Sequence, residues 1–133
     1  VWRAPLLSRL LPHVRGTRLS PEVLSRIPEA VAAYEADPLV TRKGAPARTG
    51  AELLRAMGLN RAAAAGLKLP VYLFHGDADR LTDPAGSCEI NDLWGGADHS
   101  LRLWPGSRHE TLNDLDREAV ATELLDWVLT RAE

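Results

Sequence analysis

The sequence predicts an α/β protein in which a helical segment, residues 1–69, precedes two parallel strand–helix units in residues 70–133. The first segment is rich in Ala, Leu and Arg at helical spacing, whereas the second contains two short apolar runs that suit buried strands. A helical pattern separates these runs. A strand–helix–strand unit of this length makes a right-handed crossover, which sets its two strands parallel.

Capping residues and prolines mark the helices of the first segment. Leucine spacing predicts a short helix over residues 5–11, and a second helix is expected to begin at Pro21. A third begins at Pro28 and stops before Asp37, because the residue that precedes a proline disfavours helical backbone. Pro12 limits the first of these helices.

The fourth helix of the first segment has the clearest local signal. Thr49 and Glu52 have the spacing of a capping box, which predicts a helix over about residues 50–65. Gly58 is expected to interrupt this helix, and Gly66 to end it.

The second segment has the pattern of strand, helix, strand, helix. The first strand covers about residues 71–75, and Asp83 then caps a helix that runs to about residue 94. The second strand covers about residues 100–104. The final helix is expected to begin near Asp114.

An acidic residue and a histidine follow the two predicted strands. Asp79 comes after the first strand and His109 after the second. Because the carboxyl ends of parallel strands lie at one edge of a sheet, the topology should bring the two side chains together. A carboxylate that accepts from one ring nitrogen fixes the imidazole tautomer and leaves the other nitrogen to take a proton from a nucleophile. The pair therefore indicates two parts of a Ser-His-Asp triad.

Neighbouring residues have simpler structural interpretations. Asp77 is the main alternative to Asp79, since acidic residues in such turns commonly bind their own backbone. Asp83 is better explained as a helix cap, and Glu110 as a structural residue. His75, at the end of the first strand, is expected to pack or bond locally rather than to react.

Three segments carry a family resemblance. Residues 69–84 resemble the acid-bearing segment of α/β-hydrolases of the monoacylglycerol lipase and lysophospholipase group, and residues 101–110 resemble the histidine segment of that group. Upstream, residues 24–26 and 34–40 resemble its helical lid. The segments occur in the family's order and spacing, and together the likeness covers most of the chain.

The resemblance implies a partial α/β-hydrolase fold, with residues 1–69 as the lid and residues 70–133 as the C-terminal part of the core. It makes Asp79 the triad acid and His109 the base. It also implies a nucleophile elbow and an oxyanion hole upstream. No Gly-x-Ser-x-Gly occurs in the 133 residues, and the chain begins at Val1. We therefore expect a piece of a longer enzyme that is inactive alone and needs the N-terminal half of the fold.

The expected substrate is a small lipid ester with one acyl chain, such as a monoacylglycerol or a lysophospholipid. Leucines at 6, 7, 10 and 11 form one face of the first helix. Core packing is the simpler interpretation of Leu6, Leu7, Leu10 and Leu11. As lid residues they would instead contact the acyl chain, and with Trp2 they would bring the lid to a membrane surface.

Two other functions remain open at this stage. Epoxide hydrolases and haloalkane dehalogenases share the fold and use an aspartate as the nucleophile, so the upstream segment distinguishes them from serine hydrolases. A non-catalytic interaction module would explain the absence of the serine. Against the module, two strands alone would leave apolar edges unpaired.

Composition excludes further classes of function. A net charge of −2 with scattered arginines gives no basis for nucleic-acid binding. The single cysteine, Cys88, excludes an internal disulfide and suits the reducing cytoplasm, where we expect the protein to lie, with peripheral membrane contact through the lid. No apolar stretch is long enough to span a membrane. Histidine and cysteine spacing offers no metal site, and no cofactor is expected.

Overall fold

A computed structural model describes residues 8–16 and 18–132. The longer helices of this part are α1 (Pro28–Ala36), α2 (Ala47–Ala64), α3 (Pro84–Leu93) and α4 (Arg117–Leu129), and the strands are β1 (Val71–Gly76) and β2 (His99–Trp104). Short 3-10 turns occupy Pro21–Val23 and Thr111–Asn113, and residues 8–10 are helical.

The two strands pair in parallel, as the sequence predicts. Val71 lies opposite His99, and Gly76 lies opposite Trp104. This register ends both strands at the same edge of the sheet, so the loops that follow them leave side by side. α3 connects the strands and packs against both of them.

Helix α1 has the predicted bounds, whereas the helix expected from Pro21 is a single 3-10 turn. α1 begins at Pro28 and ends at Ala36, with Asp37 in extended backbone. The Ser20 side chain makes no capping hydrogen bond to the turn at Pro21. Three residues beyond the turn, the backbone N–H of Arg26 donates to the side chain of Asp114, distant in sequence, rather than to a helical carbonyl.

Helix α2 begins at Ala47, earlier than predicted, and the predicted capping box is wrong. The N–H of Ala47 donates to the carbonyl of Val14 and that of Arg48 to the carbonyl of Pro12, so backbone groups satisfy the first turn. Thr49 therefore lies inside the helix, and Glu52 forms surface ion pairs with neighbouring arginines. Gly58 lies within α2 without ending it.

The second segment follows the predicted order with one shifted boundary. Asp83 caps α3 by accepting from the N–H of Ala85 at 3.0 Å, as predicted. α4 begins at Arg117 rather than near Asp114. The Asp114 carboxylate does not cap α4, because donors from two other segments occupy it.

Burial is lower than the sequence predicts for the strands. Val71 to His75 are half-buried, and only Gly76 of β1 is fully buried. The buried apolar side chains of the described residues are Leu24, Ala64, Trp104 and Val120. Several apolar side chains of α2 are exposed instead: Leu53, Leu54, Met57 and Leu59. An apolar surface of this extent is typical of a face that contacts other protein or lipid.

Candidate active site

The loops that follow β1 and β2 are in direct contact, and a glycine permits it. A Cβ atom at position 76 would lie 2.2 Å from the carbonyl oxygen of Ser107 and 2.4 Å from that of Arg108. Only a residue without a side chain fits there. The N–H of Ala78 donates to the carbonyl of Ser107 at 3.1 Å, which fixes the two loops together.

Asp79 and His109 meet across these loops. His109 Nδ1 lies 2.8 Å from Asp79 Oδ2, so the contact predicted from the topology is present. The other carboxylate oxygen, Oδ1, accepts from the N–H groups of Leu81 and Thr82 at 2.7 and 3.1 Å. The Asp79 side chain is 1% exposed and that of His109 is 34% exposed. A buried, fully bonded carboxylate thus holds an accessible imidazole.

Hydrogen bonding sets the charge of Asp79. Burial alone would raise the pKa of its carboxyl group, but donors from His109, Thr82 and the backbone outweigh burial and hold the pKa well below its usual range. The group is therefore an anion at neutral pH, as the partner of a protonatable imidazole must be.

The lowered pKa predicts a pH dependence of stability. Because the folded-state pKa of Asp79 lies below the unfolded value, the carboxylate stabilises the fold above that value, and this contribution is lost progressively below about pH 5. In urea unfolding of the full-length protein, the free-energy difference between wild type and Asp79→Asn should shrink as the pH falls from 7 to 3. A difference independent of pH would contradict the assignment.

A second histidine, His75, also binds Asp79, which the sequence analysis did not anticipate. His75 Nε2 lies 2.9 Å from Asp79 Oδ2, and its Nδ1 lies 2.7 Å from Ser87 Oγ of α3. The Thr82 hydroxyl donates to the same oxygen at 2.7 Å. The position of His75 in the sequence could have indicated this contact. His75 lies at the end of the predicted first strand, four residues before Asp79, and the local bond expected for it is made to this carboxylate.

The competing acidic residues have structural partners. Asp77 Oδ1 accepts from the N–H of Gly106 at 2.6 Å, which supports the turn after β2. Gly106 has a φ of 71°, a backbone conformation that favours glycine. Asp83 caps α3. Among the described residues, neither carboxylate hydrogen-bonds to a histidine ring, so the geometry favours Asp79.

Residues on either side of His109 are tied to the first segment of the chain. Arg108 Nη1 donates to the carbonyl of Ser25 at 2.8 Å, and the N–H of Glu110 donates to the carbonyl of Leu24 at 2.9 Å. The loop that carries His109 is therefore held by residues that lie more than eighty positions earlier in the sequence.

Asp114 is the centre of this connection. Its buried carboxylate accepts from the backbone N–H and Nε of Arg26, and from the N–H groups of Arg108 and Leu115, at 2.7–3.0 Å. Ser107 Oγ approaches at 3.4 Å. Burial alone would raise the pKa of Asp114, but these donors hold it below the usual range. The sequence analysis treated Asp114 only as the start of a helix.

The predicted lid leucines are only partly within the described residues. Leu6 and Leu7 lie outside them. Leu10 is 70% exposed and Leu11 is 51% exposed, so core packing within this chain is wrong for these two residues. Their exposure leaves them free to contact an acyl chain or another surface.

A cavity of about 770 Å³ lies in the first segment. Its walls combine apolar side chains such as Leu19, Tyr34 and Val40 with several charged ones: Arg15, Arg18, Glu35, Arg42 and Lys43. Leu81, in the turn after Asp79, also lines it. The cavity therefore reaches from the predicted lid to the loop that carries the candidate acid.

Other kinds of site have no support in the part of the chain that the structure describes. No group of three or more His, Cys, Asp or Glu side chains there could hold a metal ion. Cys88 is a free, half-buried thiol in α3. No helix within residues 8–16 and 18–132 is long and apolar enough to cross a membrane.

A parallel strand–helix–strand unit with an acid and a histidine on the loops after its strands is the arrangement expected in the C-terminal part of an α/β-hydrolase, and the comparisons with known proteins show this class. A sequence model of the serine aminopeptidase S33 family matches residues 1–116, and the chain belongs to this family. The predicted resemblance to the monoacylglycerol lipase group is confirmed by the relatives and the solved structure described next.

The chain is 35% identical over 130 residues to a monoacylglycerol lipase of Mycolicibacterium smegmatis, covering 96% of the chain and 45% of that protein. It is 34% identical over 133 residues to the monoglyceride lipase of Mus musculus, covering 98% of the chain and 44% of that protein. The crystal structure of the Paleococcus ferrophilus monoacylglycerol lipase superposes with a TM-score of 0.87 at 29% identity, covering 97% of the chain and 51% of that structure. The chain thus spans about half the length of the relatives it matches.

Proposed function

We propose that the full-length protein containing this chain is a serine ester hydrolase that acts on monoacylglycerol- or lysophospholipid-like esters. Asp79 is its triad acid and His109 its base. The observation that carries the proposal is the 2.8 Å hydrogen bond between Asp79 Oδ2 and His109 Nδ1. Residues 1–69 act as the lid, residues 70–133 as the C-terminal part of the core, and the serine lies outside this chain.

In the proposed mechanism, Asp79 fixes His109 with its proton on Nδ1, so that Nε2 carries the lone pair. No described residue hydrogen-bonds to Nε2, which leaves it available to a serine. His109 takes the serine proton as the oxygen attacks the ester carbonyl, and it returns the proton to the leaving alcohol. Water then releases the acid from the acyl-enzyme by the same route.

Substrate class is inferred from the relatives. Those described above are named monoacylglycerol and monoglyceride lipases, whereas the family description names an aminopeptidase. The family description names a serine enzyme, which favours a serine over an aspartate nucleophile. Exposed apolar side chains at Leu10 and Leu11 suit an acyl chain better than a peptide, and they also suit peripheral contact of the lid with a membrane.

The direct test is turnover by the full-length protein. It should hydrolyse a monoacylglycerol, and a fluorophosphonate probe should label one serine outside residues 1–133. An aminoacyl amide should be a poor substrate. Labelling that fails, or an alkyl-enzyme ester formed on an aspartate from an epoxide or an alkyl halide, would contradict the proposal and favour the epoxide hydrolase or dehalogenase alternative.

The isolated chain provides a separate prediction. Because its two strands form a two-stranded sheet with open edges in the described structure, we expect the purified chain to be inactive and poorly protected from amide exchange. Exchange measured by mass spectrometry should be fast across residues 71–74. Slow, cooperative protection of these amides in a monomer would instead favour an independently folded interaction module.

A further inference from the structure

Asp79 Oδ2 is shared by two imidazoles. His109 Nδ1 lies 2.8 Å from it and His75 Nε2 lies 2.9 Å from it, while the Thr82 hydroxyl donates at 2.7 Å. A triad requires only one of these imidazoles. The second is not an accidental surface contact, because the His75 side chain is 15% exposed and the carboxylate is 1% exposed.

Ser87 determines how His75 is used. Its hydroxyl lies 2.7 Å from His75 Nδ1 and can donate to the lone pair of that nitrogen. The neutral ring then carries its proton on Nε2, where the acceptor is Asp79. With this tautomer, both ring nitrogens are satisfied, and the hydrogen bonds run from Ser87 to His75 to the carboxylate.

We propose that His75 is a positioning residue of the triad, held by Ser87 so that its Nε2–H fixes the carboxylate that orients His109. This inference rests on the proposed function of Asp79 and His109. A carboxylate oxygen with three donors rotates less and is a weaker base than one with two. His75 therefore keeps Asp79 aligned with His109 and moderates how strongly it stabilises the protonated His109 ring.

Few charged groups complicate this arrangement. Within the described residues, Asp79 is the only charged side chain that hydrogen-bonds to His75, and it is also the only one that hydrogen-bonds to His109. Asp77 and Asp83, on the same loop, are occupied by backbone N–H groups. A change at His75 should consequently reach His109 through the Asp79 carboxylate and the Thr82 hydroxyl, which lies 3.3 Å from His75 Nε2 and 3.4 Å from His109 Nδ1.

Two substitutions of His75 in the full-length protein test the proposal. His75→Phe removes the donor and should lower kcat/KM about tenfold, because the carboxylate loses alignment. In a plot of kcat/KM against pH, the substitution should also move the midpoint of the acidic limb upward by about half a pH unit. The reason is that an Asp79 carboxylate with fewer donors stabilises the protonated His109 ring more strongly. His75→Gln keeps an N–H donor and should stay within about threefold of wild type.

His99 offers a matched control. It is also half-buried, on β2, but its ring bonds to the carbonyl of Gly96 at the opposite end of the sheet. His99→Gln should leave the rate and the acid-side midpoint unchanged. A purely structural role of His75 would lower activity without moving the midpoint, and that result, or a Gln variant no better than Phe, would overturn the proposal.

Nitrogen-15 NMR of histidine-labelled full-length protein separates this inference from the proposed function, because it needs no substrate. In wild type at neutral pH, His75 should show the Nε2–H tautomer, and the downfield proton between His109 and Asp79 should shift in His75→Phe. If these signals appear in a full-length protein that hydrolyses no ester, the proposed function is refuted, whereas the positioning of Asp79 by His75 is supported. A His75 ring protonated only on Nδ1 would refute the inference in either case.

Discussion

If the proposed triad is correct, replacing Asp79 by Asn in the full-length protein is expected to lower kcat for ester hydrolysis by about 10⁴-fold, the size of the effect when the acid of a Ser-His-Asp triad is changed in this way. The substitution preserves the shape of the side chain but replaces an acceptor oxygen with an N–H₂ donor. All the groups around Asp79 donate, so every orientation of the new amide places two donors face to face.

Each amide orientation has a distinct cost. With nitrogen at the Oδ2 position, it faces His109, His75 and Thr82, and His109 must accept on Nδ1 with its proton on Nε2. That tautomer cannot take the proton of a serine. With nitrogen at the Oδ1 position, it faces the N–H groups of Leu81 and Thr82. In this second orientation the oxygen beside His109 can still accept from Nδ1–H, but the contact between backbone and amide donors disfavours it, and the amide lacks the charge that stabilises the protonated ring.

Asp77→Asn is the matched control, since the same change is made two residues away. Asp77 accepts one backbone hydrogen bond, from Gly106, and an amide oxygen can accept it equally well. We expect kcat of this variant within about threefold of wild type. KM should change little in either variant, because the Asp79 carboxylate is buried. Activity of Asp79→Asn within tenfold of wild type would contradict its role as the triad acid.

The sequence predicts much of the fold and the central pair because both depend on local signals. Apolar runs define β1 and β2, Asp83 caps α3, and the parallel crossover then brings Asp79 to His109. No side-chain geometry is needed for this inference, since strand order alone places the two loops together.

Long-range hydrogen bonds explain what the sequence does not predict. α2 begins early because carbonyls from residues 12–14 satisfy its first N–H groups, which no capping pattern within the helix could indicate. The sequence predicts that His75 packs or bonds locally at the end of a strand, and only the folded structure shows that its ring contacts Asp79. Asp114 resembles a helix start, yet it binds Arg26, 88 residues away.

Of the substitutions proposed for this protein, Asp114→Ala should cause the largest loss of stability. The free energy of unfolding of the full-length protein should fall by about 3–5 kcal/mol. The Asp114 side chain is 0% exposed, and its removal leaves the N–H groups of Arg26 and Arg108 without an acceptor. The Arg26 guanidinium also loses a partner in a site where it is 24% exposed. Unpaired buried donors and charges are among the costliest defects in a fold.

Asp116→Ala is the control, because Asp116 binds the same arginine from a more exposed position. Its Oδ2 lies 2.5 Å from Arg26 Nη2, but its side chain is 39% exposed and accepts from no backbone N–H of the described residues. Such a pair contributes about 0–1 kcal/mol. Urea unfolding should therefore separate the two variants by at least about 2 kcal/mol. Equal losses would show that Arg26 is anchored by charge alone rather than by the buried acceptor.

Activity should fall along with stability in Asp114→Ala, for a local reason. Arg108 precedes His109, and its N–H is fixed by Asp114 at 2.7 Å. Without this bond the loop can move the imidazole away from a serine, and misplacement by about 1 Å can cost about 10²-fold in rate. Rates measured at a temperature and pH where the variant stays folded should show a fall in kcat, with no comparable fall in Asp116→Ala. A variant that loses stability while kcat is unchanged would mean that contacts with residues 22–25 suffice to hold His109.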